Sequence, residues 1–165
     1  ESAADRLLYQ RFAEVAREVS EDIWNGSTLE AIDTFTAFWG GSGPQDLLPD
    51  SARLRMIELA NKLAFAFKAA FTEADVTIAA GSLRVPTLLF SGGLSPYLTQ
   101  RIVRRLAAIM EGAEMRHLPA AGHMLPLTHA STINPAIASH IARADELAGV
   151  PLAAAEAVTL GLGCD

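Results

Sequence analysis

The chain has 165 residues, 50% of them hydrophobic, and a formal net charge of −6. This length is enough for one domain with a buried core, and the acidic balance argues against nucleic acid as a partner, because phosphate repels negative charge. No apolar run reaches the roughly 18 residues of a membrane span, and the single cysteine, Cys164, excludes an internal disulfide. With no leader segment predicted, we expect a cytoplasmic protein.

The first half of the sequence predicts helices. Apolar residues recur at spacings of three and four from Leu7 to Ile23, which is typical of an amphipathic helix, and Asn25-Gly26 ends it. The glycine-rich stretch at 40–44 predicts a loop. A third helix is apolar on more than one face, so we expect it to be buried or to line an apolar cavity. The helices are predicted over residues 3–24, 28–38, 50–71 and 76–80.

The pattern changes at Pro86. Thr87–Phe90 is a continuous apolar run followed by Gly92-Gly93, which is typical of a strand buried on both faces of a parallel sheet. The remaining elements are a helix over 96–110 with Ile102, Leu106 and Ile109 facing inward, a strand over 114–118, a turn at 120–123 and a helix over 131–147. This βαβα order implies parallel strands with a right-handed crossover. Two strands alone do not make a stable sheet, so the sheet is predicted to be incomplete.

Two segments of the sequence resemble the α/β-hydrolase superfamily. Val85–Pro96 resembles a late strand that begins after proline and ends at glycine, and Leu118–Leu127 resembles the last strand with the loop that bears the catalytic histidine. The resemblance implies an α/β fold that is partial: a helical cap followed by the βαβα C-terminal unit of the parallel sheet. It divides the chain into a cap-like helical region at 1–82, a core region at 83–148 and a tail at 149–165.

The resemblance assigns the catalytic role to His123, which would accept the proton of a serine hydroxyl and return it to the leaving group. No G-x-S-x-G nucleophile elbow exists in the sequence. Ser42 has glycine on both sides but no strand before it, so it is interpreted as a loop serine. The order of elements in these enzymes would place the nucleophile before residue 1. The usual position of the acid is occupied by Ser95, which holds no charge at neutral pH.

Taken alone, a histidine in a glycine-containing turn is more often structural than catalytic. The catalytic interpretation of His123 therefore depends on the resemblance. His117 and His140 are predicted to be exposed, and His129 to begin a helix or hold its loop. The spacing of the four histidines fits no zinc site, and no glycine-rich phosphate loop is present. We therefore expect no metal and no cofactor. The large side chains interpreted either as core or as lining of an apolar substrate pocket are Phe38, Trp39, Phe65, Phe67 and Met124.

Three functions remain open at this point. The first is the C-terminal part of a serine-type hydrolase that acts on an ester, thioester or amide bond of a small apolar substrate and is inactive as this chain alone. The second is a non-catalytic remnant or interaction module, which associates with itself or with a complementary N-terminal chain through the free edge of the sheet near Thr87–Phe90. The third is a carrier of apolar ligands in the helical region.

Overall fold

The computed structural model describes residues 2–39 and 49–149. Ser42, the predicted loop at 40–44, Cys164 and the predicted tail from residue 150 lie outside this range. No helix in the two described ranges is long and apolar enough to cross a bilayer. The elements are α1 (Ala3–Trp24), α2 (Thr28–Trp39), α3 (Asp50–Glu58), α4 (Ala60–Thr72), α5 (Val76–Ser82), β1 (Leu88–Gly92), α6 (Tyr97–Ile109), β2 (Glu114–Leu118), α7 (Leu125–Thr128) and α8 (Ala130–Ala148).

Helix α1 is the centre of the helical region. A capping box starts it: the Asp5 backbone N–H donates to Ser2 Oγ, and the Ser2 backbone N–H donates to the Asp5 carboxylate, both at 3.1 Å. Its apolar stripe is buried against α2 and α4 from Val15 to Ile23, as the spacing of three and four predicts, whereas Leu7 at the start of the predicted stripe is 67% exposed. The core formed there has these buried residues: Val15, Ala16, Val19, Ile23, Ala31, Ile32, Ala60, Ala64 and Phe67.

The single helix predicted over 50–71 is two helices in the structure. The break is at Leu59, whose backbone has φ −105° and ψ 11°, and whose N–H donates to the carbonyls of Arg55 and Met56, both at 3.2 Å. No proline or glycine marks this position in the sequence. Helix α3 buries no residue, whereas α4 buries a face against α1. The requirement for packing against α1 therefore interrupts a pattern that is locally continuous.

The sheet has two parallel strands in the described part of the chain. β1 pairs with β2 in a register that runs from Leu88 opposite Glu114 to Gly92 opposite Leu118. The limits of β2 agree with the predicted strand, and β1 begins one residue later and ends two residues later than predicted. Burial of β1 on both faces is not observed for its apolar residues: Leu88, Leu89 and Phe90 are half-buried. A two-stranded sheet is too small to cover both faces of a strand completely.

Helices α6 and α8 pack with this sheet. Phe90 and Leu118 contact a small buried cluster of Ala121, Leu125 and Ile133, which includes one residue of α8. Arg143 of α8 also donates from Nη2 to Glu114 Oε2 at 2.8 Å. The prediction for α6 was wrong in one position, because Ile102 is 49% exposed whereas Gln100 is buried. These two residues are separated by about 200° around a helix, so they cannot share a face.

The helical region and the sheet region are joined by an ion pair between α1 and α6. Arg101 donates from Nε at 3.0 Å and from Nη2 at 2.8 Å to Asp5 Oδ1. The pKa of Asp5 is lowered to about 2, first by hydrogen bonds from Ser2 and then by Arg101. Because the capping box and the ion pair share Asp5, the start of α1 is anchored to the crossover helix of the sheet.

Candidate functional site

The candidate site lies where the loop after β1 meets the loop after β2. The Gly93 N–H donates to the Leu118 carbonyl at 2.9 Å, and the Leu94 N–H donates to the Ala121 carbonyl at 3.0 Å. Both loops leave the carboxyl ends of parallel strands, which is where binding sites form in open α/β sheets. These backbone hydrogen bonds hold the turn that precedes His123 in place.

Gly92 and Gly93 make this close approach of the two loops possible. A Cβ atom on Gly92 would lie 2.6 Å from the Gly122 carbonyl oxygen and closer still to that of Ala121, and a Cβ on Gly93 would lie 2.5 Å from the Pro119 carbonyl oxygen. These neighbours are backbone atoms, which cannot avoid the clash by changing a side-chain rotamer. The pair of glycines that marks the end of β1 in the sequence therefore has a second role, which is to accept the histidine loop.

His123 is half-buried beneath the last residue of α2. The centroid of its imidazole is 4.5 Å from the Trp39 ring centroid, and the two planes are tilted by 33°. Burial lowers the pKa of His123 below its ordinary value, because the charged form loses hydration. The imidazole is therefore neutral at pH 7, which is the form that accepts a proton in general-base catalysis.

Ser95 is buried close to these loops and is held by its backbone. Its N–H donates to the Gly92 carbonyl at 3.2 Å, and its carbonyl accepts from Gln100 Nε2 at 2.9 Å. Gln100 Nε2 also donates to the Gly93 carbonyl at 2.9 Å, so one buried amide fixes both ends of this loop. Within residues 2–39 and 49–149, no hydrogen bond or ion pair joins His123 to a carboxylate.

The structure separates the predicted pocket residues into two groups. Trp39 contacts His123, Phe38 packs edge-on against Trp39 at 4.9 Å between centroids, and Met124 is half-buried next to His123 in the sequence. Phe65 and Phe67 instead line a groove of about 610 Å³ between α1 and α4, whose lining does not include His123. Phe67 is buried in the helical core, whereas Phe65 is 60% exposed.

The other three histidines make no ring contact with His123 in the described residues. His117 is exposed on β2 and His140 is half-buried on α8. His129 is the residue before α8, and its Nδ1 lies 2.8 Å from Oγ1 of its neighbour Thr128. No group of three or more histidine, cysteine, aspartate or glutamate side chains that could hold a metal ion occurs in the described part of the chain.

Two contacts of this site were not anticipated from the sequence. The contact of Trp39 with His123 joins residues that are far apart in the chain, and no local pattern encodes it. The role of Gln100 had no signal in the predicted pattern, because Gln100 lies about 200° around α6 from Ile102, which was predicted to face inward. A buried side-chain amide in such a position usually binds backbone carbonyls of a neighbouring loop.

Comparison with known proteins identifies the fold. No protein-family model matches the chain, and no curated protein matches it. A solved structure, the crystal structure of bromoperoxidase from Bacillus anthracis, matches 76% of this chain with a TM-score of 0.59 and 20% sequence identity. The match covers 48% of that protein, so the chain spans about half of its length. Since bromoperoxidase belongs to the α/β-hydrolase family, the helices and the two-stranded parallel sheet of this chain form part of an α/β-hydrolase-like fold.

Proposed function

We propose that the chain supplies the C-terminal half of a serine-type α/β-hydrolase that cleaves an ester, thioester or amide bond of a small apolar substrate. One observation carries this proposal. His123 stands on the loop after β2, held by the loop after β1 and half-buried against Trp39. A neutral histidine at the carboxyl ends of parallel strands, under an aromatic side chain of a helical layer, has the position and the protonation state of a general base.

In this mechanism His123 takes the proton of a serine hydroxyl as the hydroxyl attacks the substrate carbonyl, and then returns that proton to the leaving group. The serine, the acid and most of the oxyanion hole would come from polypeptide other than these 165 residues, because the sequence contains no nucleophile elbow. Ser95, at the position where the resemblance expects the acid, provides no charge. We therefore propose that the chain is inactive alone.

The test compares p-nitrophenyl butyrate hydrolysis by the chain, by His123→Ala and by the chain extended with whatever residues its gene encodes in frame before Glu1. We expect the chain and the variant to be equally inactive. The extended chain is expected to hydrolyse the ester, to react with a fluorophosphonate and to lose activity on His123→Ala by about 10⁴-fold or more, as for loss of a triad member. Hydrolysis by the short chain that depends on His123 would contradict its proposed inactivity, and an extended chain without a reactive serine would refute the hydrolase assignment.

A second candidate function is an interaction module that self-associates or binds a complementary N-terminal chain. The observation in its favour is β1, which pairs on one side only within the described residues and carries the half-buried Leu88, Leu89 and Phe90. An apolar strand with unpaired backbone groups is a template for another strand. Both proposed functions predict a strand paired with the free edge of β1. In the hydrolase, that strand would come from the complementary half of the protein.

A further inference from the structure

The indole nitrogen of Trp39 is a buried donor without an acceptor. Nε1 is inaccessible to solvent and has no hydrogen-bond partner in the described part of the chain. Tryptophan donates through this one N–H and accepts nothing in return. A buried N–H without an acceptor is unfavourable for folding, and such groups are few in native proteins, where each one calls for an explanation.

The surroundings of this N–H define what would bind to it. Trp39 lies among aromatic rings, with the centroids of Phe12 and Phe35 each 6.1 Å away and that of Phe38 at 4.9 Å. Its other neighbour is His123, at 4.5 Å. Burial lowers the pKa of His123, and no charged side chain within residues 2–39 and 49–149 contributes to that shift. The described neighbours of Trp39 are thus aromatic rings, which favour a neutral acceptor over a carboxylate or phosphate.

We infer that substrate binding uncovers the Trp39 indole N–H, which then donates a hydrogen bond to the carbonyl oxygen of the substrate, next to the imidazole of His123. The inference rests on the proposed hydrolase function and adds to it a recognition residue from the helical layer. A neutral carbonyl oxygen satisfies the orphan donor, and the low polarity of the aromatic cluster strengthens that hydrogen bond. The ring contact, at 4.5 Å between centroids, places the indole beside the imidazole of the proposed general base.

The experiment uses the ¹⁵N-labelled chain in a Trp24→Phe background, so that Trp39 gives the one indole N–H resonance. The probes are acetophenone and ethylbenzene, which are similar in size but differ in the carbonyl oxygen. We expect acetophenone to shift the Trp39 indole proton downfield and to perturb the His123 ring resonances. Ethylbenzene is expected to perturb the rings without the downfield shift. Because Trp39 is intact in this measurement, the result does not depend on the folding of a variant.

Trp39→Phe supplies the control, because it keeps a smaller aromatic ring over His123 and removes the N–H donor. The lost ring area weakens both probes alike, so acetophenone should lose about threefold to tenfold more affinity than ethylbenzene, as expected for the loss of one neutral hydrogen bond. If acetophenone perturbs His123 and leaves the Trp39 N–H unmoved, the inference is wrong and the proposed function stands. If acetophenone perturbs neither residue, both the inference and the assignment of this site to substrate are wrong.

Discussion

At the scale of single residues, the protonation of His123 follows from a contact with a residue distant in sequence. The Trp39 ring covers the imidazole, and burial lowers the pKa of His123 because the imidazolium loses hydration that no described carboxylate replaces. In an intact triad the imidazolium is stabilised by the acid, which opposes this lowering of the histidine pKa. If a complementary half of the protein supplied this acid, the pKa of His123 would be higher than it is in this chain.

The lowered pKa of His123 predicts how stability depends on pH. The unfolded chain binds a proton at His123 near the ordinary pKa of about 6.5, whereas the folded chain binds it only at lower pH. The folded state therefore loses stability as the pH falls through 6.5, and the loss is complete below the folded pKa. Urea unfolding at pH 8 and pH 5 should show a larger decrease for the wild type than for His123→Asn.

His117→Asn is the matched control for this prediction, because His117 is exposed on β2 and lies outside the stack. It should keep the pH dependence of the wild type. Trp39→Leu should reduce that dependence, since it exposes the imidazole to water. Equal pH dependence in the wild type and in His123→Asn would show that the imidazole is not desolvated in the folded chain.

At the scale of elements, the structure depends on two loops that touch through backbone atoms. Gly92 is buried at the end of β1, in contact with the Ala121 and Gly122 carbonyls. Gln100, on the first turn of α6, binds the carbonyls of Gly93 and Ser95 from the other side. The position of His123 is thus determined by strand ends and by one buried amide, and a change at either should move the imidazole away from Trp39.

We predict that Gly92→Ala destabilises the chain by about 1–3 kcal/mol or more, as overpacking does in other cores, and releases His123 from the stack. Thermal unfolding measures the first effect, and the His123 ring chemical shifts measure the second. Gly81→Ala is the control. Its Cβ would meet the Ile109 carbonyl oxygen at 3.6 Å, an ordinary contact, and Gly81 is the second-last residue of α5. The Gly81→Ala variant should therefore keep or slightly gain stability, by less than the roughly 0.5–1 kcal/mol of a position in the middle of a helix. Equal stability of both variants would mean that the loops do not pack as described.

At the scale of the whole molecule, the two edges of the small sheet carry different residues. Both strands have a free edge in the described residues, but their residues differ. β1 is apolar at Leu88, Leu89 and Phe90, whereas β2 carries Glu114, Arg116 and His117. Charged side chains discourage edge pairing and apolar ones permit it, so the edge of β1 is the one expected to bind another strand.

We predict that the chain forms dimers or larger assemblies at about 100 µM, a concentration in the range where unpaired strand edges associate. Analytical ultracentrifugation should show Leu89→Lys mainly as a monomer. Met115→Lys, at the position paired with Leu89 in β2, should associate like the wild type. A monomeric wild type, or equal effects of the two substitutions, would contradict association through the edge of β1.

The local sequence of this protein determined most of its elements. Periodic apolar positions predicted α1, the Pro86 to Gly93 pattern predicted β1, and the limits of β2 were predicted to the residue, because these depend on propensity and on alternation within a few residues. The resemblance predicted a catalytic role for His123 and a missing acid at Ser95, and both stay predictions. Only the tertiary structure decided the break at Leu59, the buried side of α6 at Gln100 and the stack of Trp39 on His123. These features depend on which surfaces meet, and contacts between residues far apart in the chain leave no periodic signal in the sequence.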